Sequence, residues 1–142
     1  MNVRSVGYWA TTTVTSLVFL SGGVAYLLRA DAPLRGMAEL GYPTYFVILL
    51  GAWKLLGGIA ILAPRLPRLK EWAYAGIAFD LTGAAVSQAA VGHPASKVIA
   101  PLVFLGIAAA SWALRPSSRV LGGASEQRPA RLGTRVAAEA AA

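Results

Sequence analysis

The strongest constraint on this chain is a pair of apolar segments joined by a short basic turn, each with one charge near its middle. The segments run from about 44 to 63 and from 71 to 91, and their charges are Lys54 and Asp80. Each charge lies nine residues from the turn, which is about 13.5 Å at the rise of an α-helix. In a bilayer both would lie near the centre, where a lone charge costs roughly 2.5 to 3.5 kcal/mol. We therefore expect Lys54 and Asp80 to form an ion pair inside a helix bundle.

The rest of the chain also favours a membrane protein. Of the 142 residues 56% are hydrophobic and only 13% are charged, and two further apolar runs are long enough to cross a bilayer. We predict an all-α polytopic membrane protein, a bundle of four transmembrane helices within one domain, 1–116. The predicted spans are 8–28, 44–63, 71–91 and 98–114. Residues 30–43 would form a short polar connection with a turn or two of interfacial helix, and the Ala- and Arg-rich residues 117–142 a disordered basic tail.

A cleaved signal peptide is the alternative for the first apolar run. Arg4 resembles a positively charged start, and Ala30-Asp31-Ala32 resembles a small-residue cleavage site. However, the run is longer than the 7 to 15 residues, roughly, of a typical signal core. The length favours a retained membrane span.

Basic residues predict the orientation. Nine lie in the N-terminus, the turn after residue 63 and the C-terminal tail, against three in the other connections. Because positive loops stay inside, we expect both termini in the cytoplasm and the protein in the cytoplasmic membrane. The net charge of +7 then indicates attraction to anionic lipids of the bilayer, with no nucleic-acid partner.

The composition excludes several kinds of site. No cysteine is present, which excludes disulfides, thiolate chemistry, Cys-ligated zinc and iron–sulfur clusters. His93 is the single histidine, is expected in a loop, and cannot supply a bis-histidine haem site. We expect no metal site and no catalysis by this chain alone.

Small residues share a helix face with each buried charge. Gly51, Gly57 and Gly58 lie three or four residues from Lys54. Gly76, Gly83 and Ala84 lie three or four residues from Asp80, and Ser87 lies seven residues from it, on the same helix face. Such stripes are typical of helix contacts in membranes, so both charges should point into protein. They either fix helix packing or form a polar centre that binds a head group or relays protons.

Other side chains extend the predicted ligand-binding set. Ser16, with Thr13, is expected near the depth of the charged pair, Trp53 adjoins Lys54, and Ser87, with Gln88, lies towards the outer side. Glu71 begins the third span, either as an interfacial charge or as a functional carboxylate at the cytoplasmic mouth. A belt of interfacial aromatic residues is predicted for Tyr8, Trp9, Tyr42, Tyr45, Trp72, Tyr74 and Trp112.

Several motifs, in order, resemble the DoxX-like family of small bacterial membrane proteins. They include Tyr8-Trp9-Ala10-Thr11-Thr12, Leu40-Gly41-Tyr42-Pro43, Gly51-Ala52-Trp53-Lys54, Leu69-Lys70-Glu71-Trp72, Phe79-Asp80-Leu81-Thr82-Gly83 and Ser111-Trp112-Ala113-Leu114-Arg115-Pro116. The resemblance covers about residues 7–116 and implies a four-helix membrane bundle. Relatives in the wider superfamily are linked to thiosulfate:quinone oxidoreduction, or to membrane complexes that handle oxidative and thiol stress. Many members carry a histidine after the third-helix serine, whereas here Gln88 follows Ser87.

Three functions remain open from the sequence. The first is a binding or accessory subunit that holds a quinone or lipid-like molecule near Lys54 and Asp80. The second is a quinone-linked oxidoreductase subunit that works with a separate redox partner. The third is an assembly factor without a ligand, in which the charged pair only fixes packing. Association with itself or with a redox complex is compatible with all three.

Overall fold

A computed structural model describes residues 3–116 and Arg119. The predicted disordered tail, apart from Arg119, therefore lies outside the described residues. The described part is all-helical, as predicted, and has five helices. They are α1 (Val3–Leu27), α2 (Asp31–Glu39), α3 (Thr44–Leu62), α4 (Pro67–Ala90) and α5 (Ala95–Ala113).

The largest differences from the predicted bounds lie at the start of α1, which begins at Val3, five residues early, and at the start of α4. This helix begins at Pro67, four residues before the predicted start, because proline fits the first helical turn, where its missing N–H would have no partner. The connection before α3 contains the expected short helix, the nine-residue α2. At the far end of α4, Gly92 has a φ of +73°, a conformation that ends helices and suits glycine.

Four helices run side by side in a ring. Helix α1 packs against α3 and α5, and α4 packs against α5 and α3. Helices α1 and α3 approach each other closely at Gly23 of α1 and Gly51 of α3. A Cβ on Gly51 would lie 2.8 Å from Cβ of Tyr26, and a Cβ on Gly23 would lie 2.9 Å from the Gly51 carbonyl oxygen. Neither position has space for a side chain, so the two backbones approach closely.

The two ends of the bundle are defined by contacts between distant parts of the chain. At one end the start of α1 meets the residues after α5, where Arg4 Nη2 lies 3.4 Å from the Arg115 carbonyl oxygen. The start of α4 joins them through Glu71. At the opposite end Ser87 of α4 contacts Tyr42, which follows α2. Helix α4 therefore extends along the whole bundle.

Three of the helices, α1, α3 and α5, are long and apolar enough to cross a membrane. Helix α4 is not among them, although it has 24 residues, because Arg68, Lys70, Glu71 and Asp80 lower its hydropathy. The composition of the described helices thus supports a lipid bilayer as the surroundings of the protein. The count of four spans and the cytoplasmic termini stay predictions.

Hydroxyl groups on α1 follow two patterns. Thr11 Oγ1 donates to the Gly7 carbonyl at 2.7 Å, and Thr15 Oγ1 donates to the Thr11 carbonyl at 2.8 Å, so helical backbone groups satisfy them. Thr12 is different, since its hydroxyl bonds to Ser111 of α5 at 2.6 Å. The hydroxyl-rich start of α1 is therefore compatible with a helix surrounded by apolar groups.

Candidate functional site

The ion pair expected between the two central charges forms. Lys54 Nζ of α3 lies 2.6 Å from Asp80 Oδ2 of α4, and the side chains are only 15% and 11% exposed. The ammonium group also lies 4.6 Å from the centre of the Phe19 ring and 5.8 Å from that of Tyr26. These ring faces of α1 add cation–π attraction. Lys54 thus links three helices near the middle of the bundle.

The ion pair keeps hydrogen-bonding capacity. An ammonium group has three donors, and a carboxylate accepts at both oxygens. Within the described residues, Lys54 donates one hydrogen bond, to Asp80 Oδ2, and Asp80 Oδ1 accepts none. The pair can therefore still donate to a carbonyl and accept from a hydroxyl of a bound molecule.

A cleft of about 800 Å³ lies between α3 and α4 and contains this ion pair. Its walls are mainly apolar, with Leu50 and Leu56 on α3 and Ile77 and Phe79 on α4. Met37 of α2 lines the end of the cleft that is next to Ser87. Pockets of roughly 300 to 1,000 Å³ with apolar walls and a few polar groups are typical of small-molecule sites.

Glycines explain why the cleft is open. A Cβ added to Gly76 or to Gly83 of α4 would meet no atom within 4 Å. The prediction that the small residues of α4 mark a helix contact was therefore wrong for these two positions, where they leave space instead. On α3 it was right for Gly51 and Gly58, which pack against α1, where a Cβ on Gly58 would lie 2.9 Å from Leu20 Cγ.

Aromatic and polar side chains border the cleft. Trp53 and Trp72 line it and are 63% and 81% exposed, so much of their ring surface is accessible. At the end of the cleft next to α2, the Tyr42 hydroxyl bonds to Ser87 Oγ at 2.7 Å. The Tyr42 ring stacks on the Phe46 ring, with 4.8 Å between the ring centres. Gln88 also lines this end. Nothing in the sequence pattern singled out the Tyr42–Ser87 contact.

The structure brings together only part of the predicted ligand-binding set. Lys54, Asp80, Trp53 and Ser87 line the cleft. Ser16 does not line it; its side chain is buried, and Oγ has no hydrogen-bond partner in the part of the chain that the structure describes. Thr13 is exposed, and Glu71 bonds to Arg115 at the end of the bundle. The predicted depth of Ser16 was an estimate along one helix, and it could not say which way the side chain points.

Two aromatic residues of the predicted interfacial belt are instead part of the interior. Tyr8 and Tyr74 are 1% and 6% exposed. The Tyr74 hydroxyl bonds to Ser111 Oγ at 2.7 Å, and Ser111 in turn bonds to Thr12. A buried tyrosine needs such a partner for its hydroxyl, and Ser111 on a distant helix supplies it. Among residues 3–116 and Arg119 no group of acidic or histidine side chains could hold a metal ion.

Comparison with known families gives one match. Residues 10–111 match a family model described as the DoxX-like family. The match extends from α1 into the last turn of α5 and contains the whole cleft, including Lys54 and Asp80. No curated protein and no solved structure matches the chain.

Proposed function

Because this chain belongs to the DoxX-like family, we propose that it is an integral membrane protein that holds a quinone or another lipid-like molecule between α3 and α4. The observation that carries the proposal is the apolar cleft of about 800 Å³ with an ion pair inside it. Helix α4 leaves this space open at Gly76 and Gly83. An apolar cleft in a bilayer would take up an apolar chain, and the charges would select its head group.

The topology proposed for this function has four spans. Helix α4 extends along the whole bundle beside the three apolar helices, and its central charge is paired with Lys54. An intramembrane charge is tolerated when it pairs within the bundle. We place the spanning part of α4 at residues 71–90 and both termini in the cytoplasm, in keeping with the nine-to-three distribution of basic residues.

The chemistry of the cleft fits a head group with carbonyl or hydroxyl oxygens. Lys54 would donate to a carbonyl oxygen, and Asp80 Oδ1 would accept from a hydroxyl, which suits a quinone, a quinol or a lipid ester. Trp53 and Trp72 offer ring faces to a planar group at the rim. An isoprenoid or acyl chain would lie along the leucines and glycines of the walls.

The role that follows is that of a binding or accessory subunit. A quinone held here would exchange electrons with a separate redox partner, and the chain would then be a subunit of a quinone-linked oxidoreductase. The ligand-free assembly factor remains the other alternative. It predicts that replacing both charges by apolar residues, in Lys54→Met with Asp80→Leu, leaves the folded protein and its cellular role intact.

A quinone titration tests the proposal. Purified protein in detergent is titrated with a short-chain quinone, and quenching of tryptophan fluorescence is measured, since Trp53 and Trp72 border the cleft. We expect saturable quenching. Its dissociation constant should rise about tenfold or more in Lys54→Met, because this variant loses roughly one charge-assisted hydrogen bond to the quinone. Lys97→Met is the matched control, because Lys97 is half exposed at the outer end. Equal quenching in all three proteins would contradict quinone binding at this site.

A further inference from the structure

A second polar centre lies at the end of the bundle that carries the start of α1 and the end of α5. Its main residue is Arg115, which is 2% exposed. Nη2 donates to Glu71 Oε1 at 2.7 Å, and Nε donates to the Trp112 carbonyl at 3.0 Å. Nη1 is buried and has no hydrogen-bond partner among residues 3–116 and Arg119. A buried guanidinium nitrogen without an acceptor destabilises the folded protein. An anion or another acceptor bound at Nη1 would remove this cost.

Three further cations lie near Arg115, and Glu71 pairs with Arg115 alone among the four cations in the described residues. Lys70 is fully buried and donates to the carbonyl oxygens of Ala60 and Ile61 at the end of α3. Arg119 donates to the Tyr8 hydroxyl at 3.1 Å, and Arg4 donates to the Arg115 carbonyl at 3.4 Å. Within the described part of the chain, Lys70, Arg119 and Arg4 have no acidic partner within 4.0 Å.

The cations are close enough to affect one another. Burial, followed by the charges of Arg119 and Arg115, lowers the pKa of Lys70 to about 8. Lys70 precedes the proposed membrane-spanning part of α4. Removing several like charges from water without counter-charges is unfavourable, so an added anion would relieve the repulsion.

We propose that this cluster of Arg4, Lys70, Arg115 and Arg119 binds a phosphate-type oxyanion. Guanidinium groups match phosphate oxygens with paired N–H donors, and Arg115 has one such donor without a partner. Arg4 is exposed and Arg119 is half-buried, so the cluster opens to the surface through these two side chains. The phosphate would come from the head group of an anionic lipid or from a free phosphate ion. This site is separate from the cleft and does not depend on its ligand.

The test measures the thermal unfolding midpoint of the full chain in a neutral detergent. One arm adds sodium phosphate against sodium chloride of equal ionic strength. The other adds dioctanoyl phosphatidylglycerol against dioctanoyl phosphatidylcholine, which has no net charge. We expect a saturable rise in the midpoint with the lipid anion, the phosphate ion or both. A response only to phosphatidylglycerol assigns the site to lipid head groups, and a response to phosphate assigns it to free oxyanions as well.

Variants locate the binding. Arg119→Gln should raise the half-maximal ligand concentration about tenfold or more, and Arg4→Gln should do so to a smaller extent. Arg68→Gln is the matched control, because Arg68 is an exposed arginine near the same end and is not one of the four residues of the cluster. Each variant is compared with its own unliganded midpoint, so a loss of stability does not affect the result. No specific rise in the wild type, or an equal change in Arg68→Gln and Arg119→Gln, would overturn the proposal.

Discussion

Lys54 Nζ and Asp80 Oδ2 lie 2.6 Å apart across the contact between α3 and α4, beside a cleft that the two helices leave open. The pair therefore has two roles that can be separated. It holds the helices together where glycines at positions 76 and 83 make no contact, and it presents polar atoms to the cleft.

Removing one charge should destabilise the protein more than removing both. In Lys54→Met or Asp80→Leu the remaining charge is buried and unpaired, which costs about 3 kcal/mol or more. The double variant should recover part of this loss, with a coupling energy of roughly 1 to 3 kcal/mol. The free energy of unfolding, measured by denaturant titration in mixed micelles, checks this. Additive effects of the two changes would show that the ion pair does not stabilise the fold.

Glycine-to-alanine changes should have opposite signs in two parts of the bundle. At Gly83 a methyl group enters open space, and alanine should stabilise α4 by about 0.5 to 1 kcal/mol. At Gly51 the methyl group would meet Tyr26 Cβ and the Gly23 carbonyl oxygen, and the clash should cost about 1 to 3 kcal/mol. The free energy of unfolding of Gly83→Ala and Gly51→Ala, measured in the same way, tests these two predictions. A destabilised Gly83→Ala would contradict the open cleft.

Ser111→Ala should be among the more harmful hydroxyl deletions. It removes the common partner of Thr12 and Tyr74, whose buried hydroxyls are then unsatisfied, at a cost of about 1 to 3 kcal/mol. The matched control is Ser21→Ala, because Ser21 is exposed and bonds to its own helix. The control should change the free energy of unfolding by less than about 0.5 kcal/mol. Similar values for both variants would contradict the network.

The lowered pKa of Lys70 predicts that the stability of the protein depends on pH. Its pKa of about 8 in the folded protein lies below the ordinary value of 10.5, so the unfolded chain binds more protons between these values. Stability should therefore rise as the pH increases from 8 towards 9.5. In Lys70→Met this rise should flatten, whereas Lys97→Met, at the exposed end, should keep it. A wild type whose unfolding midpoint falls over this range would contradict the lowered pKa of the buried Lys70.

The sequence was sufficient to predict elements that depend on local pattern. The apolar runs located α1, α3, α4 and α5 to within a few residues, and symmetric spacing about the turn predicted the Lys54–Asp80 contact. The start of α4 at Pro67 was not predicted, because a proline is compatible with a turn as well as with the first turn of a helix.

Contacts between distant helices could not be predicted in the same way. Helical periodicity places residues on a face but does not say which neighbour that face meets. Gly76 and Gly83 were therefore expected in a helix contact and line a cleft instead. Tyr8 and Tyr74 were expected at the membrane interface, yet their rings are buried. Arg119 and Ser111, far along the chain, are hydrogen-bond partners of the Tyr8 and Tyr74 hydroxyls.

The most direct test of the central claim is mass spectrometry of an organic extract from gently purified protein. Wild type is compared with Gly76→Leu/Gly83→Leu, which fills the cleft, and with Gly106→Leu, a control in open space on α5. We predict one quinone or other lipid at near-stoichiometric amount in wild type and control, and its loss from the folded cleft-filled variant. Equal amounts of bulk phospholipid alone in all three proteins would contradict a ligand in the cleft.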